Sequence, residues 1–146
     1  MSSNSIKFYT EAYQHLHEYV LDGCYTFDKF FGMSPWEYLG HNPGANKIFN
    51  KAMDTDSRAV MDVVARMYED GFKSINTLVD IGGGTGSSLA AIVKEHPHIR
   101  GINLDLPHVI AAAPPITGKI CNVDHHQSKF VDVIHDCKWM VNEWVF

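Results

Sequence analysis

Apolar positions in the first half of the chain recur at helical spacing, whereas in the second half they gather into short β-branched runs separated by helical stretches. Tyr9, Tyr13, Leu16 and Val20 fall at i, i+4, i+7 and i+11, one stripe of a helix that Gly23 can close in a left-handed conformation. That stripe reads as core. Ser34-Pro35-Trp36-Glu37 combines a capping box with proline at the first helical position. Asn42-Pro43 repeats the cap-then-proline start ahead of Ile48, Phe49 and Met53. Two helices are predicted to begin there, and Val60, Val64 and Met67 keep the period up to Asp70-Gly71.

From Thr77 the pattern changes. Thr77 to Ile81 is a short aliphatic run predicted as the first strand, followed by a glycine cluster and a helix from Ser87 to His96 that Pro97 stops. A second strand is expected over Ile102 to Asp105, then a shorter helix after Pro107. Lys119 to Val123 and Val131 to Ile134 are predicted as third and fourth strands. The alternation of strand and helix predicts an α/β fold with a parallel sheet over residues 77–146, preceded by a helical segment over residues 1–76.

Composition narrows the functional classes. The chain has 146 residues, 45% hydrophobic and 20% charged, which suits one packed domain or a piece of one. A net charge of −5 argues against a protein that tracks phosphates through clustered Lys and Arg, so neither nucleic acid nor an anionic membrane is an expected partner. The start, Met1-Ser2-Ser3-Asn4-Ser5, lacks the basic and apolar regions of a signal peptide, and the apolar run from Val109 to Ile116 is broken by Pro114 and Pro115. Three cysteines, Cys24, Cys121 and Cys137, are an odd number without framework spacing. Reduced thiols in the cytoplasm are the expected setting.

The sharpest chemical feature is Asp80-Ile81-Gly82-Gly83-Gly84-Thr85-Gly86, which leaves the first strand and opens the next helix. Such a turn lies at the carboxyl end of a parallel sheet, where glycines let a ligand approach the backbone and the N–H groups of the helix start face it. A phosphate-binding P-loop ends in Gly-Lys-Ser/Thr, and no Lys occurs between Gly82 and Ala91. The dinucleotide fingerprint requires a glycine where Ser87 or a neighbour stands. The acid-x-Gly-x-Gly-x-Gly spacing suits S-adenosyl-L-methionine better. Its cationic methionyl end can be placed by Asp80, its carboxylate by the exposed N–H groups around Gly82, Gly84 and Gly86, and its ribose hydroxyls by Asp105 at the end of the second strand. The competing reading is a tight strand-to-helix turn without a ligand.

Asp124-His125-His126, with His135, Asp136, Cys121 and Cys137 nearby, offers a second chemistry, metal ligation in a hydrolase. The aspartate motifs that should accompany it are missing. A polar loop beside the cofactor explains these residues more simply, and no metal site is assigned. His15, His17, His41, His96 and His98 fall in helical or turn contexts and are expected at the surface, and His108 is expected to shape the loop that follows Asp105.

Leu78-Val79-Asp80-Ile81-Gly82-Gly83-Gly84-Thr85-Gly86, followed by Gly101-Ile102-Asn103-Leu104-Asp105-Leu106-Pro107-His108-Val109-Ile110, resembles the plant caffeic-acid-type O-methyltransferases. Phe31-Gly32-Met33-Ser34-Pro35-Trp36-Glu37-Tyr38 and Phe49-Asn50-Lys51-Ala52-Met53 resemble the same family, close from about Ala12 to Gly118 and looser beyond. The resemblance implies a Rossmann-like methyltransferase sheet, here incomplete, and methyl transfer from S-adenosyl-L-methionine to a phenolic hydroxyl of a phenylpropanoid, flavonoid or alkaloid. By position it implies cofactor contacts at Asp80, Gly82, Gly84, Gly86, Asp105, Asp124 and Lys138. It also implies that the helical segment walls the substrate pocket, with Phe49 and Met53 against the aromatic acceptor; ordinary core packing is the competing explanation for these two side chains.

The departures carry as much information. Asp124 precedes His125 where the family has Met, and Lys138-Trp139-Met140-Val141 leads into Asn142-Glu143-Trp144 where the family has His-Asp-Trp. Asn142 therefore occupies the family's general-base position, and an amide has no basic lone pair near neutral pH. The resemblance further implies a homodimer, although the N-terminal dimerisation domain and the remaining strands of the sheet fall outside this sequence. A poorly active chain is expected, and a non-catalytic cofactor-binding or interaction module that pairs with a full-length relative is the alternative.

Overall fold

The structure is a computed structural model that describes residues 10–11, 13–23, 26–124 and 140–142. Packing divides the chain into two units, Met1–Phe49 and Asn50–Phe146. The boundary at 76/77 marked a change of element type; the packing boundary lies earlier, inside a helix.

The first unit is helical. Helix α1 (Leu16–Asp22) ends at Gly23, whose φ of 68° lets its N–H reach the Tyr19 carbonyl. Its apolar stripe is not core: Tyr13 is 68% exposed, Leu16 50% and Val20 77%. Periodicity identifies an amphipathic helix but not what covers it. Glu18 of α1 accepts from Lys29 Nζ at 2.7 Å and from His15 Nδ1 at 2.8 Å. Helix α2 (Thr26–Phe31) and helix α3 (Pro35–His41) close on Phe27, Leu39 and Ala45, with Phe31, Tyr38 and Phe49 packed around them. The predicted capping box starts α3. Ser34 N–H donates to Glu37 Oε2 at 2.8 Å and Glu37 N–H donates to Ser34 Oγ at 3.3 Å. Helix α4 (Pro43–Met67) begins at the predicted proline and runs 25 residues. Asn42 does not cap it, because its side chain donates to Tyr38 O at 2.8 Å and so closes α3.

In the second unit, helix α5 (Glu69–Phe72) precedes strand β1 (Thr77–Ile81), helix α6 (Ser87–Glu95), strand β2 (Arg100–Asp105), helix α7 (Pro107–Ala112), strand β3 (Ile120–Asp124) and strand β4 (Met140–Asn142). All pairings are parallel, in the order β3-β2-β1-β4. The fourth strand of the described sheet is thus Met140–Asn142; the predicted strand at Val131 to Ile134 lies outside the described residues.

Successive strand residues point to opposite faces. One face carries Leu78 with Leu89, Ile92, Val93 and Ile99, and the other carries Val79, Ile102, Leu104 and Val123. Leu78, Val79, Leu89, Ile92 and Ile99 are at most 1% exposed, and each such burial is worth about 1.5–3 kcal/mol of transfer free energy. His96 departs from its surface expectation. It is 7% exposed and donates from Nε2 to Ala65 O at 2.8 Å, satisfying a carbonyl in the last turn of α4. His98, which is exposed, bonds Phe72 O at 3.2 Å in the same manner. Among the described residues, no helix is long and apolar enough to cross a membrane.

Candidate cofactor site at the carboxyl end of the sheet

The strand order reverses at β1, since the chain proceeds from β1 through β2 to β3 on one side and β4 then pairs on the other. Ligands of open parallel sheets sit outside the carboxyl ends of the strands at such a switch point. The turn leaving β1 occupies that place.

Its four glycines serve two different needs. Gly82, Gly84 and Gly86 have φ of 76°, 57° and 81°, a region that costs a residue with a Cβ about 1–2 kcal/mol. A Cβ on Gly82 or Gly84 would meet nothing within 4 Å, so these two positions border open space that a ligand can enter. Gly83 has no positive φ; a Cβ there would collide with Asn103 Oδ1 and come within 2.5 Å of the Asp80 carboxyl group. The turn therefore rests directly on side chains from β1 and β2. Gly82 N–H continues the sheet ladder to Leu104 O at 2.8 Å, and Gly86 N–H returns to Gly83 O at 2.8 Å, which tightens the entry into α6. Gly86 is the N-cap of α6 and supplies no side-chain acceptor, so the first N–H groups of the helix lack a side-chain cap.

Asp105 ends β2 beside this turn. Its Oδ2 accepts from Gly84 N–H at 2.8 Å and its Oδ1 accepts from Leu106 N–H at 2.6 Å. A carboxylate offers about four lone-pair positions, so two remain for hydroxyl donors. Asp124 lies opposite Asp105 in the register of β3 and β2 and is half-buried. His108, in the first turn of α7 just beyond Asp105, has its pKa lowered by burial, with the Asp105 charge pulling the other way. A neutral imidazole therefore stands next to that carboxylate near pH 7.

Asp80 is placed differently from the expectation of direct cofactor contact. It is 2% exposed and lies beneath Gly83, not on the open side of the turn. Asn142 ends β4 in register with Ile81, the residue that enters the glycine turn, so its backbone stands at the switch point. Lys138, His125, His126, His135, Asp136 and Cys137 lie outside the described residues. Phe49 packs in the core of the first unit, with its ring 5.8 Å from that of Trp36 and edge-on at 76°. Met53, half-buried, belongs to the second unit.

Two features escaped the sequence reading. Asn103, fully buried on β2, donates from Nδ2 to Gly84 O at 3.1 Å. Asp54 on α4 receives Thr85 Oγ1 at 3.5 Å and Arg58 Nε at 3.2 Å, linking that helix to the turn. The signal for Asn103 was present: Asn103 and Asp105 are polar at i and i+2 in a strand whose alternate residues, Ile102 and Leu104, are apolar.

A parallel sheet reversing at β1, a glycine turn at that reversal and an acid ending the next strand define part of a Rossmann-like domain for a nucleoside-containing cofactor. Residues 13–145 match the O-methyltransferase domain family, and the chain belongs to it. That family is one of S-adenosylmethionine-dependent enzymes. The chain is 41% identical over 146 residues to a caffeic acid 3-O-methyltransferase of Catharanthus roseus, covering 97% of this chain and 39% of that protein. Among solved structures, LaPhzM superposes with a TM-score of 0.69 at 30% identity, over 80% of this chain and 36% of that one. CalO1, a methyltransferase of calicheamicin biosynthesis solved with S-adenosylhomocysteine bound, superposes with a TM-score of 0.55 at 26% identity, over 84% of this chain and 36% of that one. The chain thus spans about two-fifths of the length of the relatives it matches.

Proposed function

We propose that this chain is the cofactor-holding part of an S-adenosyl-L-methionine-dependent O-methyltransferase of plant phenolic metabolism. The observation that carries the reading is the Asp105–Gly84 bond, which fixes an acid from β2 against a glycine turn with open space at Gly82 and Gly84. When bound, the cofactor supplies an electrophilic methyl group. The N–H groups of Gly82, Gly84 and Gly86 already bond Leu104 O, Asp105 and Gly83 O, so these glycines leave room for the cofactor while the uncapped start of α6 takes its methionyl carboxylate. Asp105 accepts from its ribose hydroxyls, and Asp124 and Lys138 are further proposed contacts. Asp80 acts from beneath the turn, its buried carboxyl group packed under Gly83, and not by direct contact with the cofactor.

The acceptor in this reading is a phenol of the phenylpropanoid, flavonoid or alkaloid kind. The name of the Catharanthus relative supports that class. A phenol with a pKa near 10 is mostly protonated at pH 7, and general-base assistance typically contributes ~10²–10⁴-fold. Asn142 cannot supply it. Holding the reacting atoms in line remains available and can contribute roughly 7–11 kcal/mol. The chain by itself is accordingly a weak catalyst. The same Asn142 favours a second reading, a non-catalytic cofactor-binding module that pairs with a full-length relative. A cytoplasmic location and a homodimeric full-length protein belong to this proposal, the former resting on the free thiol of exposed Cys121.

Calorimetric titration with S-adenosylhomocysteine is the test. Saturable one-to-one binding by folded protein is expected, and its absence in a chain that melts cooperatively would remove the assignment. Turnover with a panel of catechol and guaiacol acceptors separates the two readings, because only the first leaves a measurable rate.

A further inference from the structure

The Gly84 peptide is held at both ends by one strand. Its N–H donates to Asp105 and its carbonyl accepts from Asn103, and these two side chains are two residues apart on the same face of β2. Asn103 is 0% exposed. Burying an amide is unfavourable unless hydrogen bonds compensate. Both of its N–H bonds are used, one to Gly84 O at 3.1 Å and one to Asn122 Oδ1 at 3.2 Å. Its Oδ1 has no hydrogen-bond partner among the described residues and sits where a Cβ at position 83 would fall.

These contacts form a directed row. Asp80, Asn103 and Asn122 are in register across β1, β2 and β3, so their side chains share the face beneath the turn. Asn122, as acceptor, dictates which way the Asn103 amide is turned. The amide then directs its second N–H at Gly84 and its oxygen at Gly83, where only glycine fits.

We propose that Asn103 is a positioning residue of the cofactor site: its amide holds the Gly84 carbonyl so that the turn meets the ligand already ordered. A turn pinned at one end only would have to be ordered at the expense of binding. The proposal rests on the cofactor reading above for its ligand and on geometry alone for the turn.

The test is Asn103→Ala in the full chain, with two measurements. Losing one ordering hydrogen bond should raise the dissociation constant for S-adenosylhomocysteine about tenfold. Amide exchange at Gly84 and Gly86 should quicken several-fold while the amides of β1 and β2 keep wild-type rates. A residue that only stabilised the core would instead speed all of these together, and that result, or unchanged affinity with unchanged exchange at the turn, overturns the proposal. If the wild-type chain itself fails to bind S-adenosylhomocysteine, the cofactor reading falls, and the exchange measurement alone decides whether Asn103 orders the turn. Should Asn103→Ala not fold, Asn122→Ala takes its place. Removing the acceptor that turns the amide should produce a smaller change at the same two glycines, and no change there counts against the proposal.

Discussion

Asp105 binds the middle of the glycine turn and its own following residue at once, with Gly84 N–H at 2.8 Å from one carboxylate oxygen and Leu106 N–H at 2.6 Å from the other. The acid that the cofactor reading reserves for ribose is therefore already a structural part of the turn. Position and charge are set together before any ligand arrives.

Asp105→Asn separates these roles. An amide offers one acceptor where the carboxylate offers two, so one of the two N–H groups must face an NH2. Hydrogen bonds to charged groups are worth about 1.5–3 kcal/mol. The variant is expected to melt at lower temperature and to bind S-adenosylhomocysteine at least about tenfold more weakly. Calorimetry beside a thermal melt measures both.

Gly83→Ala and Gly84→Ala should fail for different reasons. At Gly83 the new methyl group runs into Asn103 and Asp80, which are buried and cannot retreat, and overpacking of this sort typically costs 1–3 kcal/mol. At Gly84 there is room, and the cost is the left-handed φ of 57°, about 1–2 kcal/mol. Gly84→Asn is therefore expected to recover much of the loss at position 84, whereas Gly83→Asn should be worse than Gly83→Ala. Denaturant midpoints of the four variants give the comparison.

Asn142→His restores an imidazole at the end of β4. Under the proposed function it should raise methyl transfer to a catechol by up to ~10²-fold and introduce an ionisation near pH 6.5 in the rate profile. The measurement is best made on the chain alone and on a hybrid extended with the remainder of a relative. A gain confined to the hybrid would mean that the base is one of several missing parts.

The helical unit has its own pH signature. Ser34 holds Glu37 below its ordinary value of 4.5, first through its backbone N–H and then through its hydroxyl. Because the folded carboxyl is the more acidic, its contribution is present in full above pH 4.5 and is lost as the pH falls below that. Ser34→Ala removes the cap hydroxyl but keeps the backbone N–H, so it should cost about 1 kcal/mol at pH 7 and flatten only part of the decline in melting temperature between pH 5 and 3. Melts across that range read the difference.

Local grammar made much of this fold legible. The capping box at Ser34, the proline at the start of α4, Gly23 and the glycine turn each name a backbone geometry that nearby contacts cannot easily override. The glycine turn was legible for the same reason, since Gly82 and Gly84 are constrained by the strand and the helix next to them in the chain. What escaped depends on distant partners. The stripe through Tyr13, Leu16 and Val20 states that a helix is amphipathic, not that anything lies against it. His96 looked like a surface residue until α4 brought the Ala65 carbonyl to it from 31 residues away. The alternation along β2 marks Asn103 as a polar residue on one face, but its partners, Gly84 and Asn122, each lie 19 residues away, in opposite directions along the chain, and only the fold brings them to it.

The order of the sheet also sets an order in time. Pairing Thr77 with Arg100 closes 23 positions (100 − 77), whereas pairing Val79 with Met140 closes 61 (140 − 79) and secures only three residue pairs against five. The longer closure costs roughly 0.9 kcal/mol more in chain entropy by the logarithmic law. During synthesis β4 also emerges after β1, β2 and β3. The unit of β1, α6 and β2, with the Gly84 clasp inside it, is complete before Asn142 arrives, so the glycine turn can form on the ribosome independently of β4.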